Sequence, residues 1–404
     1  MNAGRLLISL ILLSLIFTSG QAQSPVYDAM LRSAVLRESG KTAEALSLIG
    51  GTMESYDDYR LHLERGELLL LSGDIEAAAL SFRKASEMRE LSGSFGLARV
   101  YAFRGDAVSS LKSLEANLGS PFRVGERLCH GDAFLHRIDR TQEWRRFWSS
   151  ERYSEAEKLL SEVEYLTSLG RSAEALVLID DYSELFAGFP EYMLASALVR
   201  YNTGDFERAV NILAKFPRGS ILSDKATLLM ARSLVASGDF RRALSFFTGL
   251  IASEYADRSL FTGRAEAYLG LTDYRRALAD VDHFLSLDPE NHSALKLGGR
   301  ISAASGDINL ALRYLNRVID GNPSDREGYV QRGKVWSEAG MWNNAILDYS
   351  MALDLDPIDG ELYLDKGVLL LKTGNTEQAC HDFRMALRYG NRRAAEYINR
   401  NCMR

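Results

Sequence analysis

The sequence predicts an all-α fold, a solenoid of stacked two-helix units, and three observations predict it. First, small residues recur every 34 positions: Ala175, Ala209, Ala243, Ala277, Ala311, Ala345 and Ala379 on second helices, with Ala197, Ala231, Ala265, Gly299, Gly333 and Gly367 on first helices. Two helices cross closely only where both touching faces carry small side chains. Second, Gly170, Gly204, Gly238, Gly306, Gly340 and Gly374 end first helices in the same register, with Thr272 alone departing. A left-handed residue commonly terminates a helix there. Third, Pro289, Pro323 and Pro357 follow second helices that cannot continue through them. Asp205, Asp239, Asp273, Asp307 and Asn375 supply an acceptor at the start of each following helix. Ile179, Leu213, Phe247, Val281, Leu315, Tyr349 and Phe383 fill the space between crossings.

Taken in order, residues 1–22 read as a secretory signal: Arg5, an apolar run from Leu6 to Phe17, then Gly20-Gln21-Ala22 before a cleavage point. The run is shorter than the about 20 residues that span a bilayer, so an exported, periplasmic or secreted chain is expected, without stable membrane insertion once the leader is removed. Residues 24–119 hold three units with drifting spacing, marked by Gly40, Gly73 and Gly105. Residues 120–153 keep roughly one unit's length but lose its pattern, and read as a degenerate repeat or hinge. There Trp144, Phe147 and Trp148 share one helical face, which suits packing. A metal site of Cys129, His130, Asp132 and His136 matches no familiar zinc spacing, so no metal is expected. Residues 154–391 carry seven units in strict register. Residues 392–404 read as a capping helix with Ala394, Ala395, Tyr397 and Ile398 turned inward, covering the apolar face that a last unit would expose.

Around the bend at Gly390, Cys380 and Cys402 fall at similar heights, about 16 to 18 Å from the turn. A disulfide and two free buried thiols both fit. With 7 Pro and no Gly/Ser-rich linker, the chain reads as one array rather than a string of globular domains. A net charge of -6 gives no reason to expect nucleic acid or an anionic membrane as partner.

The fullest unit runs from Asn322 to Pro357, with Tyr329, Gly333, Trp336, Gly340, Ala345, Tyr349, Ala352 and Pro357 at their expected offsets. In these residues the chain resembles the tetratricopeptide repeat family. Val163, Arg200, Ser302, Phe216, Leu250 and Phe284 depart from its pattern. The resemblance implies a right-handed superhelix of about eleven units whose first helices face a concave groove. Transferred residue by residue, the groove positions are Leu160 and Glu164; Leu194, Leu198 and Tyr201; Leu228, Arg232 and Val235; Thr262 and Glu266; Lys296 and Arg300; Val330 and Lys334; Leu364 and Val368. That implies apolar anchors with a cationic patch of Arg232, Lys296, Arg300 and Lys334, interrupted by Glu266. Such a surface suits an extended peptide or helix with some acidic character. The asparagine of the carboxylate clamp found in some family members is missing.

No nucleophile with its base, paired carboxylates, phosphate-binding glycine loop or ligand-bearing helix can be found in the sequence, so no catalytic residue and no cofactor is assigned. The expected role is a non-catalytic scaffold of the cell envelope that binds a protein or peptide in its groove, in envelope assembly or secretion. The alternatives are a self-assembling structural subunit using the N-terminal unit, and an envelope enzyme built on a helical solenoid. Asn291-His292-Ser293 fits a glycosylation acceptor.

Overall fold

The computed structural model describes residues 24–402, so the leader expected over 1–22 lies outside the described residues. Within them the chain is helical, with no strand. It divides into two compact units: residues up to 229 together with 249–257, and residues 230–248 together with those from 258 onward.

The first compact unit begins with three helix pairs: α1 (Pro25–Glu38) and α2 (Thr42–Met53), α3 (Tyr59–Ser72) and α4 (Ile75–Met88), α5 (Ser94–Phe103) and α6 (Ala107–Leu118). The irregular stretch follows as α7 (Glu126–Gly131), a 3-10 turn at Leu135–Arg137 and α8 (Gln142–Phe147). Regular pairing resumes with α9 (Glu155–Ser168) and α10 (Ser172–Asp181), a short α11 (Ser183–Phe186), then α12 (Pro190–Asn202) and α13 (Phe206–Leu213). Helices α14 (Ser223–Ala236) and α15 (Phe240–Ala252) run across the division. The second unit holds α16 (Ser259–Gly270), α17 (Tyr274–Leu287), α18 (His292–Ala304), α19 (Ile308–Gly321), α20 (Arg326–Glu338), α21 (Trp342–Leu355), α22 (Gly360–Lys372), α23 (Thr376–Arg388) and α24 (Ala394–Asn401).

The pairs form because the small residues are at the crossings. All seven second-helix alanines are 0% exposed. Opposite them the first helix meets a large side chain 16 positions further on: a Cβ built at Gly333 would lie 2.4 Å from the Tyr349 ring, and one at Gly367 would lie 2.6 Å from Phe383. Gly66 stands in the same relation to Phe82, at 2.6 Å. Asp205, Asp239, Asp273 and Asp307 each accept the backbone amide three residues on, as expected. Asn375 does not cap its helix, because its side-chain amide donates instead to Thr373 Oγ1 at 3.0 Å.

The aromatic face of the irregular stretch is packed. Trp144 and Phe147 are buried with Leu111, Leu114 and Leu118 of α6, with Cys129 and with Tyr153. Burial pushes the Cys129 thiol up to about 11, although Tyr153 Oη lies 3.5 Å away, so at neutral pH it stays protonated.

Two long-range ties complete the units. In the first, the chain returns upon its own beginning: Tyr27 Oη donates to the Tyr255 carbonyl at 2.9 Å, and Arg60 Nη1 to the Glu254 carboxylate at 2.6 Å. Glu254 takes a left-handed backbone, φ 55°, at this join. Burial alone would favour its neutral form, but the Ser24 hydroxyl and the Arg60 guanidinium outweigh it and hold the carboxyl below its ordinary range. In the second unit α24 packs on α23, with Tyr397 stacked on Phe383 at 5.0 Å and Ala394 fully buried. Cys380 and Cys402 are disulfide-bonded across this cap, their Cα atoms 5.6 Å apart. Closing a loop of this length restricts the unfolded chain by about 3 kcal/mol on the chain-entropy account.

Thr272 occupies the left-handed position that glycine fills in the other six strict-register units, at φ 58°. A side chain there strains the backbone by about 1 kcal/mol. Thr272→Gly is therefore expected to slow amide hydrogen exchange in α16 and α17, and Gly340→Thr to quicken it in α20 and α21.

Candidate functional site

The groove positions lie on the first helices, whose placement follows from the crossings just described. In the first compact unit, Leu160, Leu194 and Leu228 are buried, at 7%, 4% and 7% exposure, while Leu198 and Tyr201 are half-buried. Tyr201 lies against Phe206, ring centres 5.7 Å apart. Glu164 pairs with Lys225 at 3.2 Å. Leu160 and Glu164 line a hollow of about 150 Å³ with Val124, Leu222, Lys225 and the exposed Ile221. On its wall Glu157 holds Arg123 at 2.9 Å.

In the second unit the four expected cations do not form a free patch, because each has an anionic or polar neighbour. Arg232 donates to the Ser259 hydroxyl at 2.6 Å. Lys296 meets Asp325 at 3.0 Å, and that carboxylate also caps α20 by accepting the Gly328 amide at 2.8 Å. Burial of Asp325 works against ionisation, but the Gly328 amide and the Lys296 ammonium outweigh it and hold its carboxyl below the ordinary range. Arg300 pairs with Glu266 at 3.3 Å, both about half exposed. Lys334 is exposed and acts electrostatically on Asp365, whose carboxyl burial and Glu361 push up.

Val330 and Leu364 are buried, at 8% and 1% exposure. The apolar anchors inferred at Leu194, Leu228, Val330 and Leu364 thus serve chiefly in helix packing. What reaches solvent is a short row of mixed charge, Glu266, Arg300 and Lys334, with Lys296, Asp325 and Asp365 partly buried beside it. Beyond Lys334 the row opens into a hollow of about 280 Å³ lined by Ser337, Leu364, Asp365, Val368, Lys372 and Arg393 among others.

The residues considered for a metal have separate partners. Cys129 adjoins Tyr153, and the His130 ring lies tilted against Trp148, ring centres 4.4 Å apart. Asp132 accepts the Phe134 and Leu135 amides and pairs with Arg99 at 3.0 Å, while His136 pairs with Asp139 at 3.2 Å. Among the described residues no group of three or more His, Cys, Asp or Glu side chains is placed to hold a metal ion.

Sequence reasoning missed a periodic set of buried ion pairs beside the crossings. Arg264 pairs with Asp280 at 2.7 Å, Arg332 with Asp348 at 2.7 Å, and Lys366 with Asp382 at 3.3 Å. The three carboxylates are 6%, 4% and 4% exposed. Burial pushes the Asp280 and Asp382 carboxyls up, with Arg264 and Lys366 opposing it. Each cation sits one position before the small crossing residue, and each Asp one before its large counterpart, so aligning the units would have shown them. At the matching places in the unit between the first two pairs, Gly298 faces the Tyr314 ring, a Cβ there lying 3.0 Å away.

Removing one partner of a buried pair strands the other charge and destabilises by about 3 kcal/mol or more. Asp348→Ala should therefore greatly accelerate hydrogen exchange in α20 and α21. The pair Arg332→Gly with Asp348→Tyr, copying the Gly298 and Tyr314 solution, should recover most of the loss.

A model of the tetratricopeptide repeat family matches residues 262–326. No curated protein matches the chain. Among solved structures the chain is similar to a tetratricopeptide repeat protein from Parabacteroides merdae ATCC 43184, at 18% identity over 62% of this chain and 99% of that one, TM-score 0.47. It is also similar to the Cut9–Hcn1 hetero-tetramer of the APC/C, at 12% identity over 93% and 89%, TM-score 0.49. A third similarity is to YrrB, described as a repeat protein of this kind with an unusual peptide-binding site, at 20% identity over 48% and 97%, TM-score 0.37.

Proposed function

We propose that the chain is a tetratricopeptide-repeat protein and a non-catalytic scaffold of the cell envelope that holds an extended peptide segment along its first helices. The observation that carries this reading is the exposed charged row on α16, α18 and α20, Glu266, Arg300 and Lys334, which leads into the hollow beside Asp365 and Val368. Exposed ion pairs of this kind contribute little to folding, about 1 kcal/mol or less, so their charges remain open to exchange for a ligand's. A peptide carrying both signs of charge fits the row better than a purely acidic one.

Export is supported by the leader-like residues 1–22 and by the Cys380–Cys402 disulfide, a bond that persists in oxidising compartments. The chain would then work in the periplasm or outside the cell, in envelope assembly or secretion.

Arg300→Glu with Lys334→Glu should weaken partner capture from the native envelope by about tenfold and leave the circular dichroism unchanged. Crosslinking from a photoreactive residue at Val368, followed by mass spectrometry, reads this. Equal capture by the charge-reversed protein would contradict the groove reading.

A further inference from the structure

Among the second helices of the second compact unit, α21 exposes the most large apolar side chains, while α23 exposes Leu387. Leu347 and Ile358 are 66% and 67% exposed, and Met351 and Leu355 are 44% and 42% exposed. On α21 itself, Leu347, Met351 and Leu355 repeat every four residues, so they form one continuous ridge along the helix. The repeat supplies its own control for what belongs there. The positions matching Leu347 and Met351 are Arg313 and Arg317 on α19, and Ala279 and His283 on α17. On α23 they are His381 and Met385, with Arg384 and Arg388 exposed alongside. In the repeat register the ridge is preceded by a second helix exposing Arg313 and followed by one exposing Arg384 and Arg388, while Arg317 donates to the Pro289 carbonyl at 2.7 Å. Packing within the second unit does not require it, because α21 packs through its opposite face, Ala345, Tyr349, Ala352 and Leu353, against Ile319, Tyr329, Val330, Leu362 and Leu369.

We propose that this ridge is a docking surface for a partner's amphipathic α-helix whose apolar stripe is bordered by acidic residues. The four-residue spacing favours a helix over an extended strand, since ridges of that spacing interdigitate between helices. From Leu347 to Leu355 the ridge is about 12 Å long, a little over two turns of such a helix. The arginines on both sides choose the sign of its borders. They also disfavour a second copy of this chain: whichever way a two-fold axis runs in the plane of contact, one arginine-bearing helix faces another. Asn343, Asn344 and Asp354 on the exposed face of α21 disfavour a lipid surface. This surface is on second helices and is independent of the first-helix groove.

The test uses the full chain and two synthetic helical peptides of about 18 residues, sharing one leucine stripe and bordered by glutamate in one and lysine in the other. Fluorescence anisotropy should show the glutamate-bordered peptide binding, weakened about tenfold or more by Leu347→Glu with Met351→Glu. Arg313→Glu with Arg388→Glu should shift the preference toward the lysine-bordered peptide. All four side chains are on the surface, so circular dichroism should not change. Equal binding of both peptides, or binding that survives Leu347→Glu with Met351→Glu, would overturn the proposal. So would self-association in sedimentation velocity, or sedimentation with phosphatidylglycerol vesicles, if either is abolished by that double substitution.

Discussion

The structure depends on one steric constraint, the close crossing of two helices at a residue too small to keep them apart. At Gly333 the ring of Tyr349 fills the space a Cβ would need, and Phe383 does the same at Gly367. The fully buried alanine of the second helix lets the backbones approach from the other side. Close packing of this kind tolerates neither a void nor an added methyl without loss. Because the crossing recurs every 34 residues, each pair presents the same faces to its neighbours, and the array extends by repetition.

Most of what surrounds the crossings follows from that approach. A residue one position before the small one is carried toward the same interior, which is why Arg264, Arg332 and Lys366 are partly buried and each meets a buried carboxylate. The Gly298 and Tyr314 pair shows that an uncharged filling of the same place is compatible with the fold. The approach also explains the fate of the apolar groove positions. Val330 and Leu364 are drawn into contacts between units, leaving the charged side chains of the first helices to meet solvent. The surface available to a ligand is in consequence more mixed in charge than a tally of its cations suggests.

The periodic part of this was legible in the sequence, because a 34-residue register ties each alanine, glycine and aspartate to a local geometric task. Where the task was local, residue type was enough. Asn375 was misread because a neighbouring hydroxyl, Thr373, competes for its side chain. The pairing of Cys380 with Cys402 was readable only as a choice between two states, since equal height along two helices does not settle which way the thiols face. The partners of the groove cations, Asp325 and Asp365, were overlooked because they sit at unit positions not counted as groove. Least legible was the return of residues 254–255 to Tyr27 and Arg60. No local pattern encodes a contact across about two hundred residues, and the drifting spacing of the first three units conceals how far the chain has turned.

The central claim is that the small and large residues at a crossing share one volume. The most direct measurement is a double-substitution cycle on Gly333 and Tyr349, read by hydrogen exchange in α20 and α21. Gly333→Leu should destabilise the pair by about 1 to 3 kcal/mol through overpacking, and Tyr349→Ala by about 3 kcal/mol or more through the cavity it leaves. Made together, they should be less damaging than their sum by at least about 1 kcal/mol. Simple additivity would mean that the two residues do not compete for the same space, and would contradict the account.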